Sequence, residues 1–156
     1  MPFVLLILAF DMMIDKRRDL LKIRVELMGI SPPIWREILV PARYSFWDLH
    51  VAVQDAMGWL DHHTHEITYL SVEPRAKGQR YPKCIAGYRA CPPDDCGGVH
   101  GYQSLLGVLF DPSHPEHESL SHWIPRGWGP ELFKPENVRF DNPLKRWEKA
   151  FTEADR

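Results

Sequence analysis

Residues 21–40 decide the fold, and they read LKIRVELMGISPPIWREILV. Over residues 21–27 apolar side chains alternate with charged ones, which is the period of a strand with one buried and one wet face. The Gly- and Pro-containing residues 29–33 break this pattern. A second apolar run over residues 34–40 then predicts another strand. We expect the two strands to pair as an antiparallel ribbon.

Helices are predicted around this ribbon. Ser45 followed by Asp48 is typical of a helix N-terminus, because the hydroxyl accepts a backbone N–H and the carboxylate favours the positive end of the helix dipole. Apolar residues then recur at helical spacing up to Gly58, a natural stop. The same kinds of pattern predict a strand over residues 66–72 and helices over residues 102–110, 115–123 and 143–154. The fold class predicted is α+β, a short antiparallel sheet packed by three or four helices.

Composition favours one ordinary globular domain. The chain has 156 residues, of which 44% are hydrophobic and 26% charged, and this suffices for a core without disulfides. The 19 basic residues are balanced by 21 acidic ones, so we expect nucleic-acid binding to be weak at best. Three cysteines fit a closed disulfide framework poorly and favour a reducing cytoplasm.

The first 19 residues are predicted to be an apolar extension, and residues 20–156 a single domain. The apolar run over residues 2–10 is followed by Asp11, whereas a membrane span needs ~20 such residues. We interpret the run as a buried strand or as the product of an upstream start codon, and predict no membrane association.

A cysteine and histidine cluster is the candidate metal site. Residues 73–100 are polar, rich in Gly and Pro, and predicted to form a long loop that contains all three cysteines. Thiolate and imidazole groups suit zinc, and two histidines two residues apart in a strand face the same way. The candidate zinc ligands are Cys91 and Cys96, helped by Cys84 or by His63 and His65. The alternative is that the cysteines are small buried apolar side chains beside a Pro-Pro turn.

Two further sets of residues are candidates for a functional role. Four carboxylates can pair for cation binding or acid/base chemistry, or simply cap helices and turns; they are Asp94, Asp95, Glu116 and Glu118. An exposed pair of Trp35 and Arg36 would suit a partner surface or stacked bases. Trp59 and Trp123 stand at helix ends, where core packing is the ordinary explanation.

Several strings resemble, in order, the plasmid pRiA ORF-three-like family. They are GISPPIWR at 29–36, DLH at 48–50, AMGW at 56–59, HTHE at 63–66, ACPPDDCGG at 90–98, GY at 101–102 and DPSHPEH at 111–117. The resemblance runs from about residue 20 to about residue 140. It implies an α+β domain carried on plasmids and other mobile elements, with no established reaction.

One departure from the family pattern concerns the middle of the chain. The family has a central block between its His-x-His-Glu strand and its cysteine loop, whereas residues 65–67 run almost directly into residues 74–82. An internal deletion between two similar strings would produce this join. The sheet is then predicted to lack the family's central strands and to expose an edge that favours self-association.

The function predicted is a non-enzymatic binding or accessory module of a mobile element, with a protein as a possible partner. The alternative is a metal-dependent hydrolase or nuclease that uses the His/Cys/Asp cluster.

Overall fold

The computed structural model describes residues 14–59 and 66–152, and in this part of the chain it has the predicted α+β fold. The strands are β1 (Asp19–Glu26), β2 (Trp35–Pro41), β3 (Glu66–Pro74) and β4 (Lys83–Tyr88), in the antiparallel order β3-β1-β2-β4. The helices are α1 (Phe46–Met57), α2 (Gly98–Phe110), α3 (His117–Trp123) and α4 (Pro143–Thr152), with a 3-10 turn at Pro135–Asn137.

The β1–β2 ribbon is confirmed with the predicted alternation. Ile23 lies opposite Ile38 and both are buried, so their side chains share the core face of the sheet. On the other face, the Lys22 ammonium is 2.8 Å from the Glu37 carboxylate and both remain partly exposed. The antiparallel sheet therefore has one face on the core and one in water.

The core lies between the sheet and the first two helices. It combines the buried face of the ribbon with one side each of α1 and α2. Its principal members are Ile23, Val25, Ile34, Ile38, Val40, Ala52, Val53, Ala56, Met57, Trp59, Cys84, Tyr102 and Leu105. Trp59 is a core residue as predicted, whereas Trp123 at the end of α3 is 45% exposed and that prediction is wrong.

Helix α1 begins and ends as predicted. The Asp48 N–H donates to the Ser45 hydroxyl at 3.1 Å, and the Ser45 N–H donates to the Asp48 carboxylate at 2.9 Å. Gly58 closes the helix with φ +78°, a left-handed conformation that suits glycine.

The prediction of one continuous loop over residues 73–100 is wrong, because β4 lies within it. β4 pairs with β2, where Tyr88 lies opposite Trp35 and Cys84 opposite Ile38. In β4 only Cys84 is buried, so the sequence carries almost no alternation to reveal the strand. The backbone hydrogen bonds of β4 are made with β2, which lies about fifty residues earlier in the chain.

Two later helices begin at positions other than those predicted. Helix α2 starts at Gly98 instead of residue 102, because Gly97 and Gly98 adopt φ values of +87° and +70° and turn the chain into the helix early. Helix α3 starts at His117, two residues after Pro115. A turn follows α2 at Asp111, whose carboxylate accepts the backbone N–H of Ser113 at 2.9 Å.

Helix α4 packs against α1 through aromatic rings and one ion pair. The Trp47 ring meets the Trp147 ring edge-on at 5.1 Å between centroids, and its Nε1–H donates to the Pro143 carbonyl at 2.8 Å. The Arg146 guanidinium is 2.7 Å from the Asp55 carboxylate. These contacts anchor α4 to α1, and residues 124–142, which connect α3 to α4, are called the C-terminal segment.

Several predictions fall outside the described residues. They concern the N-terminal part of the apolar extension (residues 1–13), the two candidate zinc ligands His63 and His65, and the last two residues of the predicted final helix (153 and 154). Among the residues that are described, no helix combines the length and the apolar character needed to cross a bilayer.

Strand β3 forms an open edge of the sheet. Within residues 14–59 and 66–152 no strand pairs with its outer side. Three apolar side chains along it, Ile67, Tyr69 and Leu70, are 41%, 42% and 39% exposed. An edge with unpaired backbone groups and apolar side chains is a template for pairing with another chain.

We expect this edge to make the protein self-associate, so that its apparent mass in size-exclusion chromatography with light scattering rises with concentration. Ile67→Lys and Leu70→Lys place charges on the edge and are expected to reduce that rise. Phe46→Lys is the matched control, because Phe46 is 94% exposed and lies outside the sheet. A wild-type protein that stays monomeric at all concentrations and melts sharply at high temperature would contradict the prediction.

Candidate functional site

The loop after β4 is held in place by buried hydrogen bonds. The Arg89 side chain is 4% exposed; its Nε–H donates to the Glu131 carboxylate at 2.8 Å and an Nη1–H to the Pro32 carbonyl at 3.0 Å. The Trp128 Nε1–H donates to the Cys91 carbonyl at 2.9 Å. The loop is thereby fixed between the β1–β2 turn and the C-terminal segment.

The three thiols of this region have separate partners. All three are free, and Cys84 is buried in the sheet while Cys91 and Cys96 are half-buried. The Cys84 and Cys96 thiols each donate to a backbone carbonyl two residues further on. The Cys91 sulfur instead accepts a hydrogen bond from the Arg36 guanidinium at 3.4 Å.

The described residues do not assemble a metal site. No group of three or more Cys, His, Asp or Glu side chains converges within them. Cys84, Cys91 and Cys96 are therefore not brought together as one ligand set, and neither are the carboxylates considered above (Asp94, Asp95, Glu116 and Glu118). A zinc site at Cys91 and Cys96 that uses His63 and His65 stays a prediction.

The environment of the thiols predicts their reactivity. Burial raises the pKa of Cys84 and of Cys91 from 9.0 to about 11, so at pH 8 only about one thiol in a thousand is ionised. Burial also raises the pKa of Cys96, which is less enclosed. We expect iodoacetamide at pH 8 to modify Cys96 well before the other two, and all three at similar rates in denaturant. Equal rates in the folded protein would contradict this.

The same shifts predict a loss of stability in alkali. Because the folded pKa values lie above the ordinary thiol value, the folded state holds its protons where the unfolded state releases them. The free energy of unfolding is therefore expected to fall as the pH rises from 9 towards 11. Cys91→Ala should weaken this fall in a urea titration at several pH values.

Among the residues that the structure describes, Arg36 is the charged residue with the lowest exposure. It stands in the middle of the sheet on β2, opposite Val25, and is 2% exposed. Its Nε–H donates to the Ala56 carbonyl at 3.2 Å, and Nη1 donates to the carbonyls of Trp35 and Tyr88 at 2.8 and 3.1 Å. The side chain thus ties β2 to the end of α1 and to the end of β4.

The partners of this guanidinium are all uncharged. Besides the carbonyls and the protonated Cys91 thiol, the Phe133 ring covers one face at 3.5 Å from its centroid. Among the described residues no carboxylate forms an ion pair with Arg36. Burial lowers the pKa of Arg36, yet a guanidinium remains charged in proteins. A buried charge ordinarily has a counter-charge, and the Arg36 guanidinium is an exception because its partners are uncharged.

A cavity of about 420 Å³ opens beside Arg36, and we call it the Arg36 cavity. Its walls come from the end of α1, from the loop between β4 and α2 (residues 89–97), and from the C-terminal segment between α3 and α4. We call residues 89–97 the cysteine loop, because they contain Cys91 and Cys96. The lining of the cavity includes Arg36, Cys91, Trp128, Phe133, Lys134 and Asn137. This volume is typical of small-molecule sites, which are mostly apolar with a few polar groups.

The lining of this cavity has more positively charged than negatively charged side chains. It has three cationic side chains, Arg36, Lys134 and Arg139, and two carboxylates, Asp55 and Asp94. Asp55 is already paired with Arg146 and accepts the Asp141 N–H at 2.7 Å. The field inside the cavity is therefore expected to favour an anion.

Trp35 and Arg36 do not form the exposed pair expected from the sequence. Neighbouring residues of a strand point to opposite faces, so Arg36 enters the core while Trp35 lies on the wet face. There the Arg24 guanidinium covers the Trp35 ring at 4.1 Å from its centroid.

Sequence reasoning missed most of the cavity. Phe133, Lys134 and Asn137 stand in a segment for which no element was predicted, and nothing in their spacing indicates that they meet Arg36. Gly87 is the one available signal: a Cβ at this position would lie 2.3 Å from the Phe133 ring, which shows how closely β4 and Phe133 approach.

Comparison with known proteins gives a family match along most of the chain. The sequence profile of the family described as "Plasmid pRiA4b ORF-3-like protein" matches residues 19–73 and again residues 64–137. The two matched segments overlap in this chain at residues 64–73.

Individual proteins that are similar to this chain include one from a bacterium and one solved structure from an archaeon. The uncharacterized protein y4hQ of Sinorhizobium fredii (strain NBRC 101917 / NGR234) is 23% identical over 156 residues, covering 67% of this chain and 80% of that protein. The crystal structure of the protein of unknown function MM3350 from Methanosarcina mazei Go1 superimposes with a TM-score of 0.71 at 30% identity, covering 79% of this chain and 99% of the other.

Proposed function

Given that this chain belongs to the family of plasmid pRiA4b ORF-3-like proteins, we propose that it is a non-enzymatic binding module whose ligand occupies the Arg36 cavity. The observation that carries the proposal is the buried Arg36 guanidinium, which has only uncharged partners and lies beside a cavity of ligand size. A fixed charge in the lining of a partly apolar cavity orients a ligand without requiring any reaction.

The sequence-based alternative, a metal-dependent hydrolase or nuclease, has no support among the described residues. Such an enzyme needs a cluster of ligands with an open position and a nearby acid or base. The described cysteines and carboxylates do not converge into one. The names of the related proteins state no reaction either.

The proposal is tested by blocking the cavity from its exposed rim. Asn137 lines the Arg36 cavity and lies in the exposed 3-10 turn, so Asn137→Trp fills the opening without disturbing the core. Gln79→Trp is the control, because Gln79 is exposed and lines no part of the cavity. Each protein is incubated with a small-molecule extract and examined by native mass spectrometry.

We expect wild-type protein and Gln79→Trp to retain the same bound mass, and Asn137→Trp to lose it. Identical bound masses in all three proteins, or none in the wild type, would contradict the proposal. Circular dichroism and melting curves show whether the two tryptophan variants remain folded.

The module is also proposed to have arisen through an internal deletion. The two family matches overlap in this chain, as expected where two separated parts of the family pattern have been joined. The alignment with y4hQ extends over 156 residues yet uses 67% of this chain, so it includes positions that y4hQ has and this chain lacks. The open edge of β3 is consistent with the loss of strands beyond it.

A cytoplasmic location and a role on mobile elements belong to the same proposal, supported by three free cysteines and by a family description that refers to a plasmid. Weak nucleic-acid binding stays a prediction. With 19 basic and 21 acidic residues, duplex DNA is expected to bind well above the ~10⁻⁸ M dissociation constants of specific modules. Tight, steeply salt-dependent binding in a fluorescence titration would contradict it.

A further inference from the structure

We infer that the ligand of the Arg36 cavity is a small organic acid whose carboxylate binds the Arg36 guanidinium at Nη2. The inference rests on the proposed function and adds the chemical class of the ligand. The buried Arg36 side chain has hydrogen-bonding capacity that its neighbours do not fully use.

A guanidinium has five N–H donors. In Arg36, Nε and both Nη1 donors are used by three carbonyls, and the single partner of Nη2 is the Cys91 sulfur at 3.4 Å. Sulfur is a weak acceptor. Nη2 therefore retains donor capacity, and a carboxylate oxygen would make a stronger, charge-assisted bond with it.

The direction of approach favours a planar anion. The Phe133 ring covers one face of the guanidinium at 3.5 Å, and the carbonyls of Ala56 and Tyr88 occupy the Nε and Nη1 sides. Of the three guanidinium nitrogens, Nη2 is therefore the one that has no oxygen acceptor and is left for a ligand. A carboxylate can lie in the plane of the guanidinium with one oxygen on this nitrogen.

The rest of the lining fits a ligand with an apolar body. Ala90, Pro92 and Pro93 from the cysteine loop, together with Trp128 and Leu132, supply apolar surface. Lys134 and Arg139 are exposed at the opening and add positive charge. In a carboxylate attached to a small hydrocarbon or aromatic group, the carboxylate would bind the buried charge of Arg36 and the apolar group would pack against the apolar walls.

The test uses benzoate as the probe and benzamide as its neutral isostere, with acetate and inorganic phosphate as further arms, all at constant ionic strength. Binding to the full-length protein is measured by the shift of the melting temperature and by calorimetry. We expect benzoate to bind saturably and at least tenfold more tightly than benzamide, because benzamide offers Arg36 no charged acceptor. Acetate should compete with benzoate, and phosphate should not.

Variants locate the site. Lys134→Ala leaves the core intact and is expected to weaken benzoate binding by about threefold, and Asn137→Trp to abolish it. Arg36→Lys keeps the charge but loses the fork of donors, and is expected to weaken binding at least tenfold. Lys77→Ala, in an exposed turn outside the cavity, should leave binding unchanged. If Arg36→Lys does not fold, Lys134→Ala and Asn137→Trp still decide the location.

Three results would overturn the inference: equal affinity for benzoate and benzamide, binding of phosphate in place of the carboxylates, or unchanged benzoate binding in Asn137→Trp. The absence of saturable binding by any carboxylate probe would overturn it as well. In each case the proposed function is judged separately, because the mass-spectrometry comparison of wild type with Asn137→Trp makes no assumption about the charge of the ligand.

Discussion

Replacing Arg36 with alanine is expected to lower the free energy of unfolding by roughly 3–5 kcal/mol, because several buried carbonyls lose their hydrogen-bond donor and the packing around the side chain is lost. The substitution leaves the carbonyls of Ala56 and Tyr88 without their donor, and each unsatisfied buried group costs ~1–3 kcal/mol. It also removes the aliphatic stem and the contact with the Phe133 ring. Urea unfolding monitored by tryptophan fluorescence measures the change.

Arg24→Ala is the matched control for Arg36→Ala. Arg24 lies on β1, on the opposite face of the sheet, where its guanidinium covers Trp35 and is 2.9 Å from the Glu26 carboxylate. The pair is partly exposed, so its loss is expected to cost below ~1 kcal/mol. Equal losses in the two variants would mean that the burial of Arg36 contributes nothing particular to stability.

Gly101→Ala is expected to destabilise the domain by ~3 kcal/mol, at the upper end of the range for overpacking. A Cβ at this position would lie 1.9 Å from the carbonyl oxygen of Cys96. Because that obstacle is backbone, either α2 or the cysteine loop must shift. The shift is expected to reach Tyr102, which follows Gly101 and is fully buried.

Gly107→Ala in the same helix serves as the control. A Cβ there meets nothing within 4 Å, and alanine favours a helix over glycine by ~1 kcal/mol. We expect this variant to be more stable than the wild type, opposite in sign to Gly101→Ala. If both glycines tolerate alanine equally well in thermal and urea unfolding, the close approach of α2 to the cysteine loop is contradicted.

The parts of the fold that follow local rules were predictable. The alternation over residues 21–27 fixes which face of β1 is buried, and a one-residue slip would expose that entire face. Ser45, Asp48 and Gly58 set the ends of α1 through hydrogen bonds within one turn of the helix. These signals are local and need no partner elsewhere in the chain.

The parts that depend on distant partners were not predictable. β4 is a strand because β2 supplies its hydrogen bonds, and only Cys84 in it carries a buried side chain. Arg36 shares the buried face of β2 with Ile38 and Val40, yet a lone arginine in an apolar run gives no sign of what surrounds it. Phe133 reaches Arg36 from almost a hundred residues further along the chain, so the cavity arises from packing alone.

Nuclear magnetic resonance can show whether the ligand of this module binds to the Arg36 guanidinium. The Nε–H signal of Arg36, assigned by its disappearance in Arg36→Lys, is followed in a ¹H–¹⁵N spectrum during titration with benzoate at constant ionic strength. We expect a saturable shift of this signal that benzamide does not produce and Asn137→Trp abolishes. An Arg36 signal that stays in place throughout the titration would contradict it.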